Sequence, residues 1–161
     1  MTKIKKFPSL AIRKMEGGKD AVKIVEELIV RLGFSPDVCE TEKSQEASRW
    51  MVALDEGKEL ELLVENQRKP QETTIYLGVN ICTVPIRGSS EVLAAALEIA
   101  DGLIGVKVSL VGHYLVLSAS MSASGVSVEE LDYYVKLLNA QESWFRQELL
   151  VELNWDTTRD D

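Results

Sequence analysis

The residue types that usually carry acid–base or nucleophilic chemistry are scarce in this chain, which has one histidine, His113, and two cysteines, Cys39 and Cys82. An imidazole is the natural proton carrier near neutral pH, and a thiol becomes a nucleophile when a base stands beside it. His113 follows Gly112 between two alternating runs, VKVSLV and YLVLSA. Gly-His at that place fits a two-residue type II′ turn with glycine first, which accounts for the histidine without catalysis. No second imidazole is present to activate Cys82, which reads as buried in or beside a sheet. One histidine and two cysteines also fall short of a Cys/His zinc site. Paired carboxylates remain. Glu59 and Glu61 share a strand face and suit a cation, but a solvated sheet face is the simpler reading. Glu129 and Glu130 are adjacent, and Glu130 already has a place at a helix start. No HExxH, GxGxxG, P-loop, GxSxG, EF-hand or CxxC spacing occurs. The expectation is a protein that is not an enzyme, with no catalytic residues, no metal and no cofactor.

Composition sets the frame for any binding role. The chain has 161 residues, 45% apolar and 27% charged, which suits one domain with a sizeable core. A net charge of −8 argues against nucleic acid as a partner, because phosphate neutralisation needs a basic surface. Residues 1–31 nevertheless carry eight Lys/Arg against four acids, so that segment is +4 and the remainder −12. The basic start, MTKIKKFPSLAIRK, is followed by no apolar stretch of the kind a secretory signal needs. Apolar runs are far shorter than the ~20 residues that span a bilayer. Free thiols suit a reducing compartment, and the expected location is cytoplasmic. The expected division is a basic N-terminal arm (1–17), one α+β domain (18–155) and a frayed polar tail (156–161).

The hydrophobic pattern then supplies the elements. Val22, Val25, Ile29 and Leu32 recur at helical spacing over 20–32, with Asp20 as N-cap and Gly33 at the left-handed C′ position. Residues 35–48 read as loop, with a short strand possible near Val38. Strict alternation predicts strands at 49–54 and 58–65, joined by Asp55-Glu56-Gly57, with Trp50 opposite Leu62 and Val52 opposite Leu60. After a polar loop over 66–72, Ile75, Leu77, Val79 and Ile81 mark a third strand. Ser89 is a plausible cap for an alanine-rich helix, Glu91–Asp101. The hairpin around Gly112-His113 pairs Val111 with Tyr114 and Val108 with Leu117. Ser127 with Glu130 forms a capping box, Val126 with Leu131 a hydrophobic staple, and a long helix runs from Val128 to about Leu153.

Three of these pieces carry a resemblance: the alanine-rich helix, the hairpin GVKVSLVGHYLVLSASM, and GVSVEELDYYVKLLNAQESWF opening the last helix. Together with the order α-β-β-β-α-β-β-α, they resemble the secretion-chaperone-like fold. That fold is shared by type III secretion chaperones, the YbjN-like family and related uncharacterised cyanobacterial and plastid families. The resemblance spans residues 18–153 in topology. It implies an antiparallel sheet with helices and a non-catalytic, often dimeric protein that binds a segment of a client protein. The alanine-rich helix is apolar beyond one stripe, which also suits a homodimer contact. Opposite the core face of the strands lie Met51, Leu63, Tyr76, Val111, Tyr114 and Val116, apolar where an isolated sheet should be polar. They are the candidate partner-binding face, with Val111, Tyr114 and Val116 expected to be exposed. The alternative is a regulatory domain that binds a small ligand in a cleft between helices and sheet.

Overall fold

Alternation and helical periodicity resolve, in the computed structural model, into one antiparallel sheet with its helices packed against a shared core. The structure describes residues 10–68 and 71–153. The elements are α1 (Leu10–Arg31), α2 (Pro36–Cys39), β1 (Glu40–Lys43), β2 (Ala47–Ala53), β3 (Glu59–Arg68), β4 (Gln71–Thr83), α3 (Ser89–Ala100), β5 (Lys107–Val111), β6 (Tyr114–Ser122) and α4 (Val128–Glu152). The six strands are ordered β1-β2-β3-β4-β6-β5. This is the expected α+β class with two small elements added, α2 and β1, in the segment read as loop.

The sheet registers follow the pleat. Trp50 lies opposite Leu62 and Val52 opposite Leu60, while Leu62 meets Leu77 and Val64 meets Ile75 on the other side. All of these side chains are buried against the helices. β3 and β4 run past the expected polar loop, pairing as far as Arg68 with Gln71. The alternation in β4 then meets a bulge: Asn80 pairs with Val116, but the next pair is Cys82 with Leu115. The extra residue, Ile81, therefore stays in the core, 2% exposed, and Thr83 returns to the outer face.

α1 begins ten residues earlier than its cap signal suggested, so Asp20 lies inside the helix and is exposed. Residues 10–17 of the expected arm are helical; residues 1–9, like the tail 156–161 and Trp155, lie outside the described residues. The helix ends in a Schellman arrangement, with Gly33 at the expected left-handed position. Gly33 has φ 93°, its N–H donates to Val30 O at 3.0 Å, and Phe34 N–H donates to Ile29 O at 3.1 Å. Val38, where a strand was expected, is exposed on the single turn of α2, and the buried Cys39 anchors that turn. α3 is capped by Gly88 at φ 81° rather than by Ser89, which is already helical.

Two ends of helices yield tests. Ser127 Oγ accepts the N–H of Glu130 at 3.1 Å at the start of α4. Ser127→Ala should lower stability by about 1 kcal/mol, read as a fall in the urea midpoint with the slope unchanged. Arg31, in the last turn of α1, donates to Glu129 Oε1 at 2.9 Å. That hydrogen bond, with the charge attraction, holds the Glu129 carboxyl below its ordinary range. A lowered folded-state pKa means the contribution is present above the ordinary carboxylate pKa and is lost as pH falls through the folded value. In Arg31→Ala, the Glu129 carboxyl resonance should titrate at higher pH by NMR. The stability change should be small and salt-sensitive, because both groups face water.

Candidate interaction surfaces

The outer face of the sheet gathers the sequence-selected residues unequally. Leu63 lies directly opposite Tyr76, and Met51, opposite Glu61, is diagonal to Leu63; all three are half-buried. At the other end, Val111 pairs with Tyr114, and they are 55% and 50% exposed. Val116 departs from expectation. It is only 5% exposed, enclosed between Asn80 on β4 and Ser109 on β5, two residues further into the sheet than Tyr114 at the turn. The two groups are separated by polar side chains. Arg49 Nε lies 3.2 Å from Glu61 Oε1 and 3.8 Å from Glu42 Oε2, so Glu61 is engaged with an arginine and Glu59 is exposed. The Tyr76 ring lies over Gly78, where a Cβ would come within 2.5 Å of the phenol oxygen. Burial raises the Tyr76 pKa, opposed by the Ser118 hydroxyl on the neighbouring strand.

A second surface was not foreseen. Between α1 and the β1–β2 turn is a cavity of about 600 Å³. Val22 of α1, Ala47 of β2 and Val64 of β3 give it apolar walls, and Lys23, Glu26 and Lys43 bring charges of both signs. Lys43 is itself bound to Glu40 at 3.0 Å. The cavity depends on β1 and its turn, which build one wall beside the helix. Only Val22 and Val64 were legible as apolar-face residues; the polar run 40–46 carried no periodic signal that it would form a strand there.

The interior also holds a charged cluster that periodicity overlooked. Glu142 of α4 is 0% exposed. Lys58, from the turn between β2 and β3, places Nζ 3.0 Å from Glu142 Oε2. The same ammonium donates to Ser143 Oγ at 2.7 Å and to Asn139 Oδ1 at 3.1 Å. Arg146 Nε donates to Glu142 Oε1 at 2.6 Å. The cluster fastens the β2–β3 turn to the last helix, with each charge paired as burial requires. Position 142 lies between Leu138 and Phe145 on the buried side of α4, which was the available clue.

The remaining chemistry-bearing residues have structural surroundings. His113 occupies the β5–β6 turn, and its carbonyl accepts Val84 N–H at 2.7 Å. Gly112 has φ 61°, whereas among the described residues Glu56 is the one non-glycine with positive φ. That combination is the type II′ turn read from the sequence. Cys39 is buried and Cys82 half-buried. Burial pushes the Cys82 thiol up, opposed by the charge of Arg146. Cys82 should therefore alkylate slowly at neutral pH, since the thiolate is the reactive form, as timed by mass spectrometry with iodoacetamide. No helix among the described residues is long and apolar enough to cross a membrane.

No protein-family profile and no curated protein matches the chain. Solved structures do. A chain of the HopA1–SchA chaperone–effector complex superposes with TM-score 0.55 at 13% identity, over 82% of this chain and 97% of that one. A chain of the ExsC–ExsE complex gives TM-score 0.57 at 15% identity, over 82% and 95%. A chain of the heterodimeric ExoU–SpcU complex, from the type III secretion system of Pseudomonas aeruginosa, gives 0.52 at 18% identity, over 77% and 96%. The chain therefore has the α+β fold of type III secretion chaperones.

Proposed function

We propose that this chain is a cytoplasmic, non-catalytic interaction module, chaperone-like or adaptor-like, that shields a short apolar segment of a client protein. The observation that carries this reading is the cavity between α1 and the β1–β2 turn, about 600 Å³ with apolar walls. Such a volume takes two or three apolar side chains of an extended segment, and the charges around Lys23, Glu26 and Lys43 suit polar residues flanking them. No bond is broken and no cofactor takes part. The fold shared with chains from chaperone–effector complexes supports the reading. The outer-face residues Met51, Leu63 and Tyr76 form a secondary contact, and the working unit is a homodimer. The narrower kinship with YbjN-like or cyanobacterial and plastid families rests on the pattern over residues 89–145.

The test is capture of clients by the purified protein, identified by mass spectrometry, compared with Ala47→Trp. Ala47 is half-buried at the cavity wall, so an indole there fills the cavity from its edge. Clients bound by the wild type and released at least ~10-fold by Ala47→Trp, a loss of ~1.4 kcal/mol, support the proposal; equal retention by both proteins overturns it. A second reading, a regulatory domain for a small ligand, is favoured by the same volume, which lies within the ~300–1,000 Å³ of small-molecule sites. Native mass spectrometry separates the two: a co-purified species of constant small mass, displaced by Ala47→Trp, supports the ligand.

A further inference from the structure

The last helix has two apolar sides, and the core uses one of them. Leu131, Val135, Leu138, Glu142, Phe145 and Leu149 of α4 are buried. The positions two residues on from each, Tyr133, Leu137, Ala140, Trp144, Gln147 and Val151, form a second stripe. At 3.6 residues per turn a step of two is about 200°, so this stripe runs along the opposite side of the helix. All of it but Gln147 is apolar, where the outward side of a surface helix is ordinarily polar. Tyr133 is 60% exposed, Trp144 38% and Val151 72%. Single exposed apolar residues are common; the spacing sets these apart. Successive members are four, three, four, three and four residues apart, the repeat with which one helix packs along another.

The loop that follows α3 builds one wall beside this stripe. Gln141 clamps that loop to α4: its side-chain amide accepts Ile104 N–H at 3.1 Å and donates to Ile104 O at 2.6 Å. Gly102 seats the Trp144 ring, since a Cβ there would lie 2.8 Å from the indole. Ile104 itself stands 77% exposed. Trp144 and Ile104 are thus held in place beforehand, which removes an ordering cost from binding. The surroundings are acidic. Residues 89–101 and 128–152 hold nine acids and two bases, and both bases are engaged, Lys136 with Asp132 and Arg146 with Glu142. Glu98, Asp101, Glu148 and Glu152 are exposed, and Glu148 lies one turn from both Trp144 and Val151.

We propose that this side of α4 is a docking groove for a basic amphipathic helix of a partner protein, a surface separate from the client cavity. A stripe of heptad spacing takes a helix laid along it, with anchors at every third and fourth position. Trp144 beside Ile104 is the central anchor, as a large aromatic at the middle of a contact usually is. The acidic rim selects lysine and arginine at the positions flanking the partner's apolar stripe. The same rim disfavours a second copy of this chain, which would bring two acidic surfaces together.

The test uses the full chain and two labelled synthetic helices of about 21 residues, long enough to cover the ~27 Å from Tyr133 to Val151. Both have Ile at a and Leu at d over three heptads; one has Lys at e and g, the other Glu. Fluorescence anisotropy at nanomolar peptide should show the Lys helix bound at least ~10-fold more tightly than the Glu helix, with the difference shrinking as salt rises. Tyr133→Lys combined with Val151→Lys should weaken the Lys helix at least ~10-fold with an unchanged circular dichroism spectrum, since both side chains face water. Glu148→Lys combined with Glu152→Lys should reverse the preference between the two peptides. Equal binding of both peptides, no binding of either, or full retention by the Tyr133→Lys and Val151→Lys variant overturns the proposal. So does loss of the Lys helix on Ala47→Trp, which would place it in the client cavity instead. Sedimentation of the chain alone is the last check: a dimer dissociated by Tyr133→Lys with Val151→Lys would show that a second copy holds this face, and would overturn the proposal too.

Discussion

Lys58→Met should lower the stability of the domain by about 3 kcal/mol, the lower end of what breaking a buried ion pair costs. Methionine keeps most of the aliphatic stem, so the loss isolates the ammonium. What remains is a carboxylate with no exposed surface, whose Oε1 still meets Arg146 while Oε2 has lost the charge 3.0 Å away. Asn139 and Ser143 lose a shared donor as well. The reverse truncation, Glu142→Leu, should cost less. Lys58 would keep Asn139 and Ser143, and Glu56 lies 3.5 Å from its nitrogen at the surface. The double variant should be more stable than Lys58→Met alone, because burying neither charge removes the desolvation that the pair only offsets. A urea-unfolding cycle over the four proteins measures the coupling. If Lys58→Met falls within about 1 kcal/mol of the wild type, the cluster is not a fastening and the turn is held elsewhere.

Trp50→Ala should be comparably severe, about 3–5 kcal/mol, because it empties a fully buried indole site in β2. The more informative variant is Trp50→Phe. Trp50 Nε1 is buried and, among the described residues, has no hydrogen-bond partner. An unpaired buried N–H opposes folding by about 1–3 kcal/mol, so removing it recovers part of what the smaller ring loses in packing. Trp50→Phe should therefore cost no more than about 1.5 kcal/mol. A loss close to that of Trp50→Ala would show that indole shape, not apolar volume, is what β2 requires there. Thermal unfolding followed by far-ultraviolet circular dichroism keeps the measurement independent of the fluorescence that Trp50 contributes.

The sequence determined whatever depends on neighbours along the chain. The register of β2 with β3 was legible because the turn at Asp55–Gly57 and the alternation of Trp50, Val52, Leu60 and Leu62 admit one pairing that buries both strands. The type II′ turn at Gly112, the Schellman end at Gly33 and the Ser127 cap were legible for the same reason: each is a backbone requirement met by a residue within a few positions. The apolar side of α4 was legible from its spacing, except at Glu142, where a charge occupies a core position and only a distant lysine makes it tolerable.

Tertiary structure decided what depends on residues brought together from far apart. Hydrophobic alternation says which face of a strand is inward but not which strand lies beside it, so the order β1-β2-β3-β4-β6-β5 was beyond it. Exposure is decided by position in the assembled sheet. Val116 and Tyr114 share a face of one strand and each has a neighbour on both sides, yet Val116 lies within the sheet and is 5% exposed while Tyr114, beside the turn at its end, is 50% exposed. The cavity exists because polar residues 40–46, silent in any apolar pattern, are held beside α1 as a strand and turn. The candidate site was thus half legible: the sequence marked apolar residues on the sheet, and packing determined which of them water, or a partner, can reach.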